Sequence, residues 1–324
     1  MGLFDFVRYK KERCNVDGRE IIIIDKSKLN KEKFKKLHKI ILEICSNYKI
    51  AKYLPKIEFH IKHPKHGNKI EEVNVEDKDY IVGWVDPRDL IDERFIVYLN
   101  PEYLESKKIK TNIAHEIAHI WHDYSSKIMS NKIEESDKLH DAIFKINKRF
   151  NEKTRSLRDH REFLFFYFRS IHTEGLAKFC EAYAIGDVLM SEKNFNEIYK
   201  TTKQLPEMIF DLWNSYLRKL GDNNEKERKD RESLLSVIGE KISTYDIGQH
   251  IIYSLLYLDH NLTIEKIAKL SFFKFIKKYE ESMKSKNLKP LVSISSGEGI
   301  LDYNRMLNQW WMVCKKLKFD KADD

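Results

Sequence analysis

A chain of 324 residues, 42% of them hydrophobic, is long enough to bury one large core or two modest ones without disulfide or metal staples. Its formal net charge of +8 and pI near 9.0 come from lysines interleaved with acids, as in KNFNEIYKTTK and NEKERKDRE. That is the pattern of solvated helix faces and argues against a dedicated nucleic-acid surface.

The four cysteines, Cys14, Cys45, Cys180 and Cys314, are far apart and form no CxxC. They suggest neither a disulfide framework nor a cysteine-based zinc module, and they fit a reducing compartment. MGLFDFVRYKKERC is too short in apolar residues for a signal peptide, and no later run approaches the ~20 apolar residues of a membrane span. Phe6 stands where a myristoylation signal wants Ser or Thr. The expectation is a cytoplasmic protein with no membrane partner.

The first hundred residues read as mixed α and β. EIIIID at 20–25 is predicted as a buried strand. Asn30 is predicted to cap a helix in which Phe34, Leu37, Ile40, Ile41 and Ile44 recur at helical spacing. KIEFHIK at 56–62 alternates, with Ile57, Phe59 and Ile61 inward and Glu58 and His60 outward. HPKHGN at 63–68 reads as a turn whose His63 and His66 are surface residues. YIVGWVDPRD and RFIVYLNPEY follow as two strands, each closed by a proline-containing turn. Three or four strands are thus expected before residue 105.

TNIAHEIAHIWHD at 111–123 is predicted as a helix, because Ile109, Ile113, Ile117, Ile120 and Trp121 recur at three- and four-residue steps. It contains HExxH. His115 and His119 are four residues apart, so on a helix their directions differ by about 40° and both imidazoles converge on one point. Two neutral imidazoles so placed suit a tetrahedral Zn²⁺, and Glu116 beside them is suited to take a proton from a metal-bound water.

The stretch from 124 to about 160 is rich in Lys and Glu and reads as a solvated helical insertion. DHREFLFFYFRSIHTEGLAKFCEAYAIGD then offers Phe163, Leu164, Phe166, Tyr167, Leu176, Phe179, Tyr183 and Ile185 to a core. It reads as a buried helix pair or one long bent helix, broken near Gly175 and ended by Gly186. From about 190 onward the pattern is all helical, with SSGEGI as a loop before a C-terminal docking helix, and residues 318–324 are expected to fray.

A two-histidine zinc site needs a third protein ligand. Glu174 is the strongest candidate, since an uncompensated carboxylate in an apolar helix-forming stretch is costly and a bound cation explains it. His122, His160 and His172 are the rivals. Asp123, four residues past His119, and Glu181, seven past Glu174 on the same face, are candidates to orient a ligating histidine. His250 is balanced between facing the site and filling the core.

HEIAHIW resembles the HExAHxW of the aminopeptidase-N-like gluzincin metallopeptidases, and TEGLAKFCE is similar to their NEGFAxYxE, whose first glutamate is the third zinc ligand. TYDIGQHIIYSLLYL resembles the family's YxKG stretch. The resemblance implies one Zn²⁺ per chain on His115, His119 and Glu174, Glu116 as general base, Tyr245 as oxyanion donor and Gly248 at the glycine position. These motifs cover about 40 residues, and the charged stretch between them is longer than the family's. The family's GxMEN strand is absent. YIVGWVDP occupies the corresponding place, making Gly83, Trp84 and Val85 the expected substrate-pairing edge strand. Without the amine-gripping glutamate, exo- and endopeptidase action both stay open.

The expected fold is α+β and zincin-like: a small mixed sheet and the HExxH helix, then a mostly helical part. The expected division is 1–189, catalytic, and 190–324, helical. The expected function is zinc-dependent hydrolysis of a peptide or protein substrate. The alternatives are a gluzincin-fold binding or regulatory protein without catalysis, and a nucleic-acid-associated protein with a structural metal.

Overall fold

The computed structural model describes residues 10–47, 54, 56–63, 83–85, 94–128, 155–184, 190–219, 229, 233–234, 244–294 and 298–316. The fold is mixed α+β. By compactness the chain divides into one unit of Met1–Tyr124 with Cys180–Val188 and a second of Ser125–Phe179 with Leu189–Asp324. Residues 125–179 therefore group with the helical part of the chain.

The first unit is built on a five-stranded sheet. β1 (Lys10–Val16), β2 (Arg19–Asp25), β3 (Lys56–Ile61), β4 (Gly83–Trp84) and β5 (Ile96–Leu99) lie in the order β1-β2-β3-β5-β4. β2, β3 and β5 are parallel, while β1 and β4 run antiparallel to them as the two edges. Among the described residues five strands precede the HExxH helix where three or four are expected, the addition being β1. Its KKERCNV shows no apolar alternation because every second residue is exposed and the others only half-buried, as a charged edge strand requires.

α1 (Lys31–Asn47) follows β2 through a turn organised by Asp25, whose carboxylate accepts from Ser27 N at 2.9 Å, Ser27 Oγ at 2.8 Å and Leu29 N at 2.7 Å. Asn30 caps the helix as expected, its Oδ1 accepting from Lys33 N at 2.8 Å. The buried Arg19 donates to Cys45 O at 3.2 Å and so ties the far end of α1 to the start of β2.

Cross-strand pairing sets Lys10, Asp25, Ile61, Leu99 and Gly83 in one row across the sheet. Paired residues share a face. The ammonium of Lys10 lies 3.6 Å from the Phe34 ring centroid of α1, so this is the face that α1 covers. The neighbouring row, Lys11, Ile24, His60, Tyr98 and Trp84, faces the other way. His60 is buried rather than outward: its Nε2 lies 3.0 Å from Glu58 Oε2 and its Nδ1 3.3 Å from Lys26 Nζ, and Tyr98 meets its ring edge-on. Burial in a parallel sheet pulls even the polar alternate residue under cover. β5 ends at Asn100, which caps the 3₁₀ turn Pro101–Tyr103, as its proline predicts. His63 is exposed, 3.5 Å from Glu102, while His66 lies outside the described residues.

α2 (Ile109–Ile128) is the HExxH helix, and α3 (Arg155–Ala184) is a single uninterrupted helix of 30 residues. Of its expected core residues, Leu164, Tyr167, Leu176 and Phe179 are buried. Phe163, Phe166, Tyr183, Ile185 and the expected stop at Gly186 lie outside what is described, as do residues 129–154 of the charged stretch.

In the second unit α4 (Glu192–Thr202), capped by Ser191, is followed by α5 (Gln204–Arg218), whose Pro206 is tolerated because it sits in the first turn. α6 (Thr244–Leu258), α7 (Ile264–Ala268) and α8 (Phe272–Lys284) come next, then β6 (Val292–Ser293), β7 (Leu301–Asp302) and the docking helix α9 (Tyr303–Lys316). The parallel pair β6–β7 departs from the all-helical expectation. Two-residue strands carry no readable period, and polar contacts hold them: Ser293 Oγ donates to Asp302 Oδ2, while Gly299 N donates to Ser293 Oγ at 2.9 Å.

His250 of α6 is fully buried beside Phe195 and Tyr199, with its Nε2 3.2 Å from Tyr279 Oη and 3.3 Å from Ser254 Oγ. The core reading of this residue therefore holds. Loss of solvent pushes its imidazole down to about 3, against about 6.5 for an unperturbed histidine. As pH falls the unfolded chain takes up this proton first, so His250 contributes fully above about pH 6.5 and stability declines from there toward about pH 3. Urea denaturation at pH 6 and pH 5 should show a stability loss that His250→Phe reduces by up to about 1.4 kcal/mol per pH unit.

Candidate metal centre

The apolar stripe of α2 fixes which way its polar residues point. Ile113, Ile117 and Ile120 are fully buried, with Ile109 and Trp121 nearly so. With about 100° per residue, His115 and His119 fall on the opposite side of the helix from that stripe and Glu116 on its flank. All three are half-buried.

The two imidazoles turn their Nε2 atoms toward each other at 3.1 Å. Two Zn–N arms of 2.0–2.1 Å at a tetrahedral angle span roughly 3.3 Å, so this spacing suits two nitrogens on one ion. His115, His119 and Glu174 each offer a ligand atom, and the three atoms lie within 4.8 Å of one another. Among the described residues no other such group of His, Cys, Asp or Glu occurs. Two imidazoles and one carboxylate so placed could hold a metal ion.

Glu181, two turns along α3 from Glu174, places Oε2 3.5 Å from His115 Nδ1. A carboxylate on the far ring nitrogen fixes the tautomer that leaves Nε2 as an electron-pair donor. Asp123, one turn past His119, is half-buried.

The rival ligands separate by environment. His172 is 2% exposed, stacked on Phe275 at 4.2 Å and bonded to the backbone of Ile267. Burial pushes it down to about 4, the state of a neutral core histidine. His122 is buried on α2, and the side chain of His160 lies outside the described residues.

The edge strand approaches the general-base candidate closely. A Cβ placed on Gly83 would stand 3.5 Å from Glu116 Cγ, 3.1 Å from Tyr98 O and 3.3 Å from Leu99 Cδ2. β4 thus runs at van der Waals distance from Glu116, and the tight contacts that glycine relieves are those to Tyr98 O and Leu99 Cδ2. Trp84 turns to the opposite face and stacks on Tyr98 with ring centroids 5.2 Å apart, so its ring lies on the face away from Glu116. Val85 follows the strand, half-buried.

Gly175 does not break α3. The helix runs through it because a Cβ there would lie 2.3 Å from Gly248 Cα on α6. Glycine inside an apolar helix signals a close packing partner as readily as a break, and this is the signal that sequence reasoning misread. Tyr245 stands in the first turn of α6, 39% exposed.

The chain matches no protein-family model and no curated protein. The site is thus read from its own residues.

Replacing Glu181 by Ala should free the His115 ring and weaken zinc binding about 10- to 100-fold. Competition with a colorimetric chelator measures this, and an unchanged affinity would show that the 3.5 Å contact does not orient the ligand.

Proposed function

We propose that this protein is a zinc-dependent metallopeptidase of the gluzincin type with a zincin-like fold, acting on peptide or protein substrates. The observation that carries the reading is the convergence of His115, His119 and Glu174 within 4.8 Å, with Glu116 flanking the two histidines on the same helix and beside an antiparallel sheet edge. A purely structural metal has no use for that additional carboxylate or for that edge.

One Zn²⁺ per chain would be held by the two imidazole Nε2 atoms and the Glu174 carboxylate. When bound there, the metal supplies Lewis acidity toward a carbonyl oxygen and toward water. Glu116 takes a proton from the attacking water as its oxygen bonds the scissile carbonyl carbon, and returns that proton to the leaving nitrogen as the C–N bond breaks. Tyr245 donates its hydroxyl proton in a hydrogen bond to the carbonyl oxygen as negative charge grows there, a type of contact whose loss costs about 2.7–4 kcal/mol. The half-buried edge of Gly83–Val85 pairs with an extended substrate backbone.

Among the described residues no helix is long and apolar enough to cross a membrane, and Cys14 and Cys45 are in no disulfide. The unpaired cysteines are compatible with a reducing compartment such as the cytoplasm as the place of action.

Glu116→Gln should retain stoichiometric zinc and lower kcat about 10²- to 10⁴-fold. A diverse peptide library read by mass spectrometry, with zinc quantified in parallel, checks this, and the cut positions separate terminal from internal cleavage. Equal cleavage by the variant would remove Glu116 from the mechanism. Glu174→Ala should lose zinc at concentrations that saturate the unmodified protein, and retained zinc would assign the third ligand elsewhere. A zinc-loaded protein that cuts nothing in the library would leave the regulatory, non-catalytic reading.

A further inference from the structure

We infer that Gly175 and Gly248 are positioning residues of the metal centre: their backbone contact sets the Glu174 segment of α3 and the Tyr245 segment of α6 against each other. The inference rests on the metallopeptidase reading and adds to it the element that holds two of its residues in register.

The contact leaves no room for any side chain. A Cβ on Gly248 would lie 1.9 Å from Ile171 O, 2.5 Å from Gly175 Cα and 3.0 Å from Gly175 N. A Cβ on Gly175 would meet Gly248 Cα at 2.3 Å, Gly248 C at 2.4 Å and Gln249 N at 2.9 Å. All six atoms are backbone, so no rotamer change relieves the overlap, and the helices themselves must separate, on the order of 1 Å in a close-packed interior. Glycine disfavours a helix interior, yet each of these helices carries one where the two backbones touch. Leu176, next to Gly175 in the chain, and Ile247 and Ile251, next to and one turn from Gly248, are fully buried.

The neighbours of the contact give it its consequence. Glu174 is the residue adjoining Gly175, and Ile171, whose carbonyl meets Gly248, is one turn earlier on the same helix. Tyr245 precedes Gly248 by three residues, about one turn, on the neighbouring side of α6. Separation at this point moves the Glu174 backbone directly and Tyr245 in the opposite sense. Displacements of about 1 Å in a reacting constellation are enough to cost roughly 100-fold in rate.

The test loads unmodified protein, Gly248→Ala, Gly175→Ala and Met283→Ala with Co²⁺, whose visible spectrum reports coordination geometry. It also measures Zn²⁺ affinity by chelator competition and Tm for each apoprotein. Met283 is fully buried on α8 and supplies a core-destabilised control. The expected result is a glycine variant that folds by circular dichroism, binds Zn²⁺ at least tenfold more weakly and gives an altered Co²⁺ spectrum, while Met283→Ala lowers Tm and keeps both metal properties. A glycine variant with the unmodified spectrum and affinity, or a control that loses them equally, overturns the inference.

If neither glycine variant folds, hydrogen exchange in the unmodified protein decides. Zn²⁺ should slow exchange of the α6 amides around Gly248 and leave those of α9 unchanged, and equal exchange with and without Zn²⁺ around Gly248 overturns the inference. Unmodified protein that takes up no metal sinks the metallopeptidase reading instead, a result distinct from either of these.

Discussion

Burial of one isoleucine stripe fixes the rotation of α2, and the proposed chemistry depends on that rotation. Ile113, Ile117, Ile120 and Trp121 are at most 1% exposed, and burying an apolar side chain of this size contributes about 1.5–3 kcal/mol. Turning the helix by even one residue position would expose part of that surface. The histidines, fixed to the same backbone, therefore face away from the stripe with little angular freedom. Their 3.1 Å Nε2 separation follows from the four-residue spacing on one helix, and the helix that cannot roll fixes which way the pair faces.

The sheet makes a second, independent contribution. Its central strands are parallel, and β4 is an antiparallel edge attached to β5 through Gly83↔Leu99 and Trp84↔Tyr98. Edge strands leave one row of backbone groups for a partner. Here that edge passes beside Glu116, and glycine at position 83 relieves the tighter approach to Tyr98 O and Leu99 Cδ2 on the neighbouring strand. The alternate residue Trp84 anchors the strand by stacking on Tyr98. Alternation along two residues thus separates approach from anchorage.

Much of the arrangement was legible in the residues. The β2 strand, the Asn30 cap and the periodicity of α2 each follow from local rules, because the contacts that decide them lie within a few residues. His60, Gly175 and β6–β7 were not legible for a common reason. His60 is enclosed by Lys26 at the end of β2 and Tyr98 of β5, Gly175 is pressed by a helix many residues away, and the two short strands are held by polar contacts among Ser293, Gly299 and Asp302. None of these partners leaves a period in the local sequence.

By itself the sequence determined the spacing of His115 and His119, the acid between them, and the helix that aims both rings at one point, since 3.6 residues per turn is a property of any helix. Which distant carboxylates join them was a tertiary decision. Glu174 shares an apolar helix with His172, and only packing separates the two: His172 lies against Phe275 and stays neutral, while Glu174 reaches the histidines. The same packing set Glu181 on His115 Nδ1 and pressed Gly175 onto Gly248. Local periodicity fixes which way a side chain points from its own helix, whereas what it meets depends on how the burial of every other apolar face brings the helices together.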